Sequence, residues 1–517
     1  MIDSERTGRA LWRRRVELSG DDPFLLHAGR TWTYSEADEE MRSLAAGLHD
    51  HGVGLGTRVL VGMQNRAETL LLHLALRELG AVNVPLMPGS AVDHLLYQVT
   101  HSEAEVLIAD EPIATELFGR RHKMPAVREL ISVDGDPAGT TPWAELAAAD
   151  PLPHGAEPTG FGRRSPWAIL YTSGSSGRPK GVVLPAGSFW SAGLGYAERF
   201  GITADDNYFL PMTMAHAVGG LTAQSMTMHK GGRLTIVDRF SPSSFWDQVE
   251  DSGATYSILF PAQLNLLLET QEDAPACGET TLRLVATHAW QEPFRRRFGV
   301  DLTLCWGMTE TGANSTGTDP SYEGELGDGY VGEAMKDVEV AVMDADHNHL
   351  PAGAEGEICL RHEDIMLEYL KDPDNTAKTV IDGWVHSGDR GLVDEDGRLF
   401  FLGRFKNLIK CSGENVSAEA VEEVLADHPA VAESMVFGVP DRIRTEEVAA
   451  VIVLRDEADP AELCDLVAGR IARWHAPRYV ITRAEPLPRL GNGKFDRPSV
   501  IKSFSVEAAW DRDAVRT

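Results

Sequence analysis

The stretch Tyr171–Val183, YTSGSSGRPKGVV, decides the fold of this chain. Ahead of it, Trp167-Ala168-Ile169-Leu170-Tyr171 follows Ser165 and Pro166 and reads as a buried strand, and behind it Val182-Val183-Leu184 is apolar again. In between, Thr172, Ser173, Ser175 and Ser176 supply hydroxyl donors, while Gly174 and Gly177 let the backbone come close to anionic oxygens. Arg178 and Lys180 add positive charge. That composition suits a polyphosphate. It is not a Walker loop, in which Gly-Lys-Ser/Thr opens a helix, because Lys180 is followed by Gly181 and Val182. A flexible Ser/Gly linker has a similar composition but no need of the flanking apolar strands.

Outward from the loop, helical patterns such as Ala67–Gly80 (AETLLLHLALRELG) alternate with short apolar strands at Arg58–Gly62 and Glu105–Ala109, the rhythm of an α/β protein. From about Val338 the pattern turns strand-rich, with Gly/Asp turns at Asp382-Gly383 and Asp396-Gly397 and a glycine at Gly403, which predicts a β subdomain. Beyond Arg404 a compact α/β unit follows, with helices near Ala418–Asp427 and Pro460–Trp474 and a strand at Val448–Leu454. The expected class is α/β: a large N-terminal domain of layered sheets over 1–403, its β-rich part at about 338–403, and a small mobile C-terminal domain over 408–517. At 517 residues, with 43% hydrophobic and 24% charged, the chain has ample material for cores of this size.

The net charge of −30 argues against non-specific binding to nucleic acid or to an anionic membrane. The charged start, MIDSERTGRALWRRRVELSG, has no signal-like apolar run, and nowhere does an apolar run reach the roughly 18 residues of a membrane span, so a cytoplasmic location is expected. Cys277, Cys305, Cys359, Cys411 and Cys464 form no CxxC pair and read as reduced thiols, without zinc or disulfides. Asp344, Asp346, His347, Asn348 and His349 lie between the expected strands Val338–Met343 and Glu357–Arg361 and read as a solvated turn instead of a metal site. Gly327–Gly332 matches GxGxxG, but a turn and strand follow instead of a helix, so no dinucleotide fold is expected there.

Four further segments bear chemistry. Trp306-Gly307-Met308-Thr309-Glu310-Thr311 follows the strand Leu302–Cys305 and puts a hydroxyl and a carboxylate at a strand end, where α/β ligand sites form. Asp389 falls in what reads as a glycine-flanked turn, DGWVHSGD, where a carboxylate can accept from two ribose hydroxyls. Gly403–Asn415 joins the two domains, and Gly491-Asn-Gly-Lys494 presents one lysine on a glycine-supported loop. Taken singly, Glu310 could be a helix cap, Asp389 a turn residue and Lys494 a solvated lysine.

In this order the five motifs resemble those of the adenylate-forming ligases, which include acyl-CoA synthetases, aryl-CoA ligases, firefly luciferase and peptide-synthetase adenylation domains. The resemblance covers nearly the whole chain, and IKCSGENVSAEAVEEVL and DRIRTEEVAAVIVL are most similar to carnitine/crotonobetaine-type and aryl-type CoA ligases. It implies an AMP-binding domain over 1–403, a hinge over 404–407 turning at Lys406, and a Gly413 loop lining a thiol tunnel. It further implies that ATP is held by the Thr172–Gly177 loop, Lys180, Ala289, Trp306, Gly307, Thr309, Asp389 and Arg404, and that Glu310 holds Mg2+. Lys494 would act chiefly in adenylation. His216, in LPMTMAHAVGG, fits the family's aromatic or histidine position beside the acyl pocket and could equally be a core residue. The chain departs from the family pattern at Ala186, at Thr287-His288-Ala289-Trp290, at Asn407 and at Thr445, where many members carry glycine. The bulky Trp290 with Trp306 suggests a short pocket.

The implied activity is activation of a small aromatic or short-chain acid to acyl-AMP, with release of pyrophosphate and transfer to CoA, by a monomer or homodimer. The alternatives are an acyl-AMP ligase serving a carrier protein, an ATP-dependent diazotase using nitrite and an aryl amine, and a non-catalytic nucleotide-binding scaffold.

Overall fold

The computed structural model describes residues 5–154, 158–172, 179–269, 275–288, 290–320, 329–405, 408–488 and 495–514, with Arg404 described by its backbone alone. Three sheets organise it. The eight-stranded sheet carries Arg58–Gly62, Val82–Pro85, Val106–Ala109 and Glu129–Ser132 in parallel, with Pro166–Thr172 beside Val82–Pro85 and the hairpin partner Lys180–Pro185 next to it. Its short strands are continuous apolar runs because both faces are covered. The helix Ala67–Leu79 is buried on nearly every side and stops at Gly80, whose φ of +66° is the left-handed conformation a helix end favours in glycine. Its polar His73 is satisfied inside the core by Gln224 at 3.2 Å.

The second sheet has fourteen strands. Parallel strands at Arg233–Ile236, Asn207–Leu210, Tyr256–Ile258, Leu284–Thr287 and Asp301–Trp306 form one half. The antiparallel strands expected from Val338 begin with Thr316–Gly317 and Tyr330–Ala334 and are hydrogen-bonded to that half instead of forming a sheet of their own. They run on through Arg398–Arg404, Trp384–Val393, Gly356–Arg361 and Glu339–Met343. Glu368–Tyr369 pairs with Lys180–Pro185, which ties the two large sheets together. So does Asp364, buried at 1% exposure, which accepts two bonds from Arg163 at 2.7 and 2.8 Å and a third from Ser191. The turn at 344–349 is the solvated one expected: Asp344 Oδ1 accepts from the backbone N–H groups of Asp346 and Asn348, each at 2.9 Å.

The small domain is a six-stranded sheet of Leu408–Cys411, Glu414–Ser417, Val431–Asp441, Thr445–Leu454, Tyr479–Arg483 and Trp510–Asp511, packed under Ala418–Ala426 and Pro460–Arg470. It docks on the large domain at two places. The backbone of Ala472 pairs with Ser90, and Ala91 N–H donates to the Ile471 carbonyl at 3.2 Å. On the other side, Asn265 Nδ2 donates to the Ile443 carbonyl at 3.2 Å, beside an Arg442–Glu269 ion pair.

Candidate active site

Between the two domains lies a cavity of about 1400 Å³. Of the residues singled out in the sequence, Thr172, Lys180, His216, Trp306, Gly307, Thr309, Glu310 and Gly413 line it, together with His288, Trp290 and Thr445. Ser173, Gly174, Ser175, Ser176, Gly177, Ala289, Lys406, Asn407 and Lys494 lie outside the described residues, as does the side chain of Arg404.

Each wall has a local cause. The strand Asp301–Trp306 ends at Gly307, so Trp306 stands at the carboxyl edge of the parallel half, and Thr309–Thr311 then makes a single 3-10 turn that lifts Glu310 toward the cavity. Glu310 is only 8% exposed and its Oε1 accepts from the Tyr369 hydroxyl at 2.6 Å. Burial and the neighbouring Glu310 carboxylate push Tyr369 well above the ordinary phenol range, so it stays protonated as the donor. Lys180, read from sequence as part of the loop, is instead the first residue of the strand Lys180–Pro185, with Nζ 4.8 Å from the centre of the same Tyr369 ring. Tyr369 therefore contacts both Glu310 and Lys180. Nothing in LEYLKD signals this, because the contact arises only when Glu368–Tyr369 pairs with the strand that Lys180 opens.

Asp389 corrects the sequence reading as well. It does not sit in a turn. It lies within the ten-residue strand Trp384–Val393, paired with Arg404, and the glycine before it, Gly388, takes φ +72°. The Asp389 carboxylate is 2% exposed, and its Oδ2 accepts from Trp306 Nε1 at 3.1 Å. The indole thus reaches across from the 301–306 strand to the carboxylate expected to hold the ribose. Sequence reasoning placed Trp306 among the residues that hold ATP and missed this contact with Asp389.

At the far end, the ring of Phe260 meets His216 edge-on at 5.7 Å and His288 at 5.2 Å. His216 Nδ1 accepts the Val218 N–H at 3.2 Å, so its neutral ring carries the proton on Nε2. Burial holds this imidazole below its ordinary range, only partly offset by the Glu414 carboxylate. Glu414 belongs to the small domain, whose Gly413 takes φ +90° and packs so closely on Phe260 that a Cβ would stand 2.3 Å from Cδ2. The C-terminal loop named in the sequence is thus seated at the Phe260–His216 end of the cavity. Behind it, Thr445 holds φ +74°, a left-handed conformation that a β-branched residue adopts only under strain. That is the physical reason a glycine suits the position.

Comparison with known proteins agrees with this geometry. A family model described as AMP-binding enzyme matches residues 12–370, and one described as AMP-binding enzyme C-terminal domain matches 420–494. Crotonobetaine/carnitine–CoA ligase of Salmonella paratyphi A is 28% identical over 506 residues, covering 94% of this chain and 97% of that protein. Among solved structures, a double mutant of Bacillus subtilis o-succinylbenzoate CoA synthetase bound with a product analogue is 25% identical at a TM-score of 0.83, over 95% of this chain and 98% of that one. The same Bacillus enzyme in complex with AMP, also 25% identical over 95% and 97%, superposes at only 0.68. The amide bond synthetase McbA of Marinactinospora thermotolerans is 27% identical, at a TM-score of 0.83 over 95% of this chain and 99% of that one. With most of the large domain and about two thirds of the small one matched, the chain belongs to the AMP-binding enzyme family and is an adenylate-forming ligase of the acyl- and aryl-CoA synthetase kind.

Proposed function

We propose that the protein activates a small carboxylic acid, aromatic or short-chain, with ATP and passes the acyl group to CoA. In the first step a carboxylate oxygen bonds to the α-phosphorus, the bond to the β-phosphate oxygen breaks, and pyrophosphate leaves. In the second the CoA thiolate bonds to the acyl carbon and AMP leaves with the electron pair of the broken C–O bond. Two anions must meet in the first step, so cations and hydroxyls aimed at the α-phosphate carry much of the catalysis. Thr172, Lys180 and Thr309 supply them from the cavity wall, and Asp389, oriented by Trp306, accepts from the ribose. The residues fit Mg2+ as well: Glu310 is a single carboxylate among hydroxyls, the kind of oxygen donor this ion takes while keeping several waters. Bound there, Mg2+ would neutralise phosphate charge. Lys494 is proposed to complete the first step, and the 404–407 segment, with Lys406, to be the pivot between the two.

One observation carries the transfer step: the Gly413 loop of the small domain rests on Phe260 beside His216. A loop from the second domain placed at the acyl end is what a thiol channel needs. The rings of Phe260, His288 and Trp290 at that end support a small acid over a long chain. A nitrogen nucleophile in place of the thiol is the second reading, supported by the likeness to the amide bond synthetase. The test is pyrophosphate release from Mg·ATP across a panel of small aromatic and short-chain acids, with and without CoA or an aryl amine. Acid-dependent release accelerated by CoA, with a thioester formed, is expected. Acceleration by the amine alone, with an amide formed, would transfer the proposal to the second reading, and no acid-dependent release would end both.

A further inference from the structure

The antiparallel half of the large sheet brings three unlike metal-ligating groups together. Glu357 and Cys359 are two residues apart on Gly356–Arg361 and so share a face, and Cys359 stands directly opposite His386 on Trp384–Val393. Cys359 Sγ lies 3.3 Å from His386 Nδ1, and that nitrogen lies 2.8 Å from Glu357 Oε2. All three donor atoms fall within 4.8 Å of one another. A tetrahedral zinc ion holding a thiolate, an imidazole and a carboxylate separates their donor atoms by about 3.4 to 3.6 Å, so the sulfur–imidazole pair is already near that spacing and the imidazole–carboxylate pair needs to open by about 0.6 Å. His386 is 8% exposed, and its other nitrogen, Nε2, is buried without a partner among the described residues. Glu357 and His386 also line the central cavity, which gives an ion a way in, and so does His347, whose ring stands 4.8 Å from that of His386 on an exposed turn.

We propose that Glu357, Cys359 and His386 form an inhibitory site for Zn2+ or a similarly thiophilic divalent ion, with His347 within reach as a fourth ligand. Binding releases the Cys359 thiol proton to solvent and leaves the His386 ring with its single proton on Nε2, Nδ1 being taken by the metal. Mg2+ does not compete, because it prefers hard oxygen ligands in an octahedron. The inhibitory effect follows from a shared hydrogen bond. Glu357 Oε1 accepts the Gly388 N–H at 2.8 Å, one residue before Asp389, so drawing Glu357 onto a metal loosens the strand that presents the ribose carboxylate.

Co2+ added to the full-length protein tests this through its spectrum. About one ion per chain is expected, with a thiolate charge-transfer band and tetrahedral d–d bands that Zn2+ abolishes. These bands should vanish in Cys359→Ala and in His386→Gln but persist in Cys277→Ala, which removes the exposed thiol instead. Zn2+ should also weaken binding of a fluorescent ATP analogue at least tenfold in the wild type and leave Cys359→Ala unaffected. Absence of the thiolate band in the wild type, or its survival in folded Cys359→Ala, would overturn the proposal. So would Zn2+ weakening nucleotide binding equally in both proteins.

Discussion

Trp306 stands where a strand ends and donates its indole N–H to a carboxylate buried to 2% exposure. A buried acceptor that loses its donor costs about 1–3 kcal/mol. Trp306→Phe keeps the ring and removes the donor, so KM for ATP should rise about tenfold to a hundredfold in pyrophosphate exchange while the fold is retained, and an unchanged KM would remove the orienting role. Thr445 offers a different test. Left-handed backbone at a β-branched residue stores about 1–3 kcal/mol, more than the extra chain entropy of roughly 1 kcal/mol that glycine brings to the unfolded state. Thr445→Gly should therefore leave the thermal midpoint unchanged or raise it by a few degrees, and a clear fall would mean the strain is not there. At this scale the sequence was half legible. The types of Glu310, Asp389 and Lys180 announced charge handling, but their partners did not, since Tyr369 lies 59 residues from Glu310 and Trp306 lies 83 from Asp389.

Short elements do more positioning here than long ones. The 3-10 turn Thr309–Thr311, the two-residue strand Glu368–Tyr369 and the hairpin between Leu408–Cys411 and Glu414–Ser417 each aim one part of the cavity wall. Such pieces are where periodicity fails, because two to four residues hold at most a period or two, too few repeats for a pattern to show. Long runs such as Ala67–Leu79, or apolar strands such as Arg58–Gly62, were plain from their patterns. Asp389 was misplaced for a related reason. Glycines at 383 and 388 read as turn punctuation, yet only Gly383 sits in a turn, while Gly388 lies inside a strand at a register shift, its N–H donated to the Glu357 side chain and its carbonyl accepting from Phe405 N–H. The hairpin supplies the prediction at this scale. In Gly413→Ala the new Cβ has no room against Phe260, so acid-dependent pyrophosphate exchange should persist while thioester formation falls at least tenfold. Adding Phe260→Leu should restore part of the loss. Equal loss of both half-reactions would mean that the loop's contact with Phe260 does not belong to transfer.

Over the whole molecule, acid sensitivity follows from histidines buried as neutral rings. Burial depresses His73 and His475 to about 3, against about 6.5 in an unfolded chain. Above that unfolded value both states carry these rings neutral and stability has no slope from them. As pH falls through it, the unfolded chain takes up protons that the folded one refuses, so their contribution is lost progressively toward pH 3. Each ring approaches about 1.4 kcal/mol per pH unit only once pH is well below 6.5, so this pair should cost about 3 kcal/mol between pH 6.5 and 5, read by urea unfolding at each pH. Stability that stays flat across that window would contradict the buried neutral rings. His475 lies near His94 of the large domain, at the seam where Ser90 and Ala91 meet Ile471 and Ala472. That seam is stitched by main-chain atoms, and two of its four residues are already alanine. Ser90 and Ala91 are half-buried and can change side chain without altering these bonds, whereas Ile471 and Ala472 are buried in the small domain, so the docked posture leaves room for drift on one face of the seam and fixes the other. Truncating Ser90 would leave the seam unmarked, because its share is the path of the backbone, whereas loss of the His94 ring, which also bonds the Ile471 backbone, would weaken it.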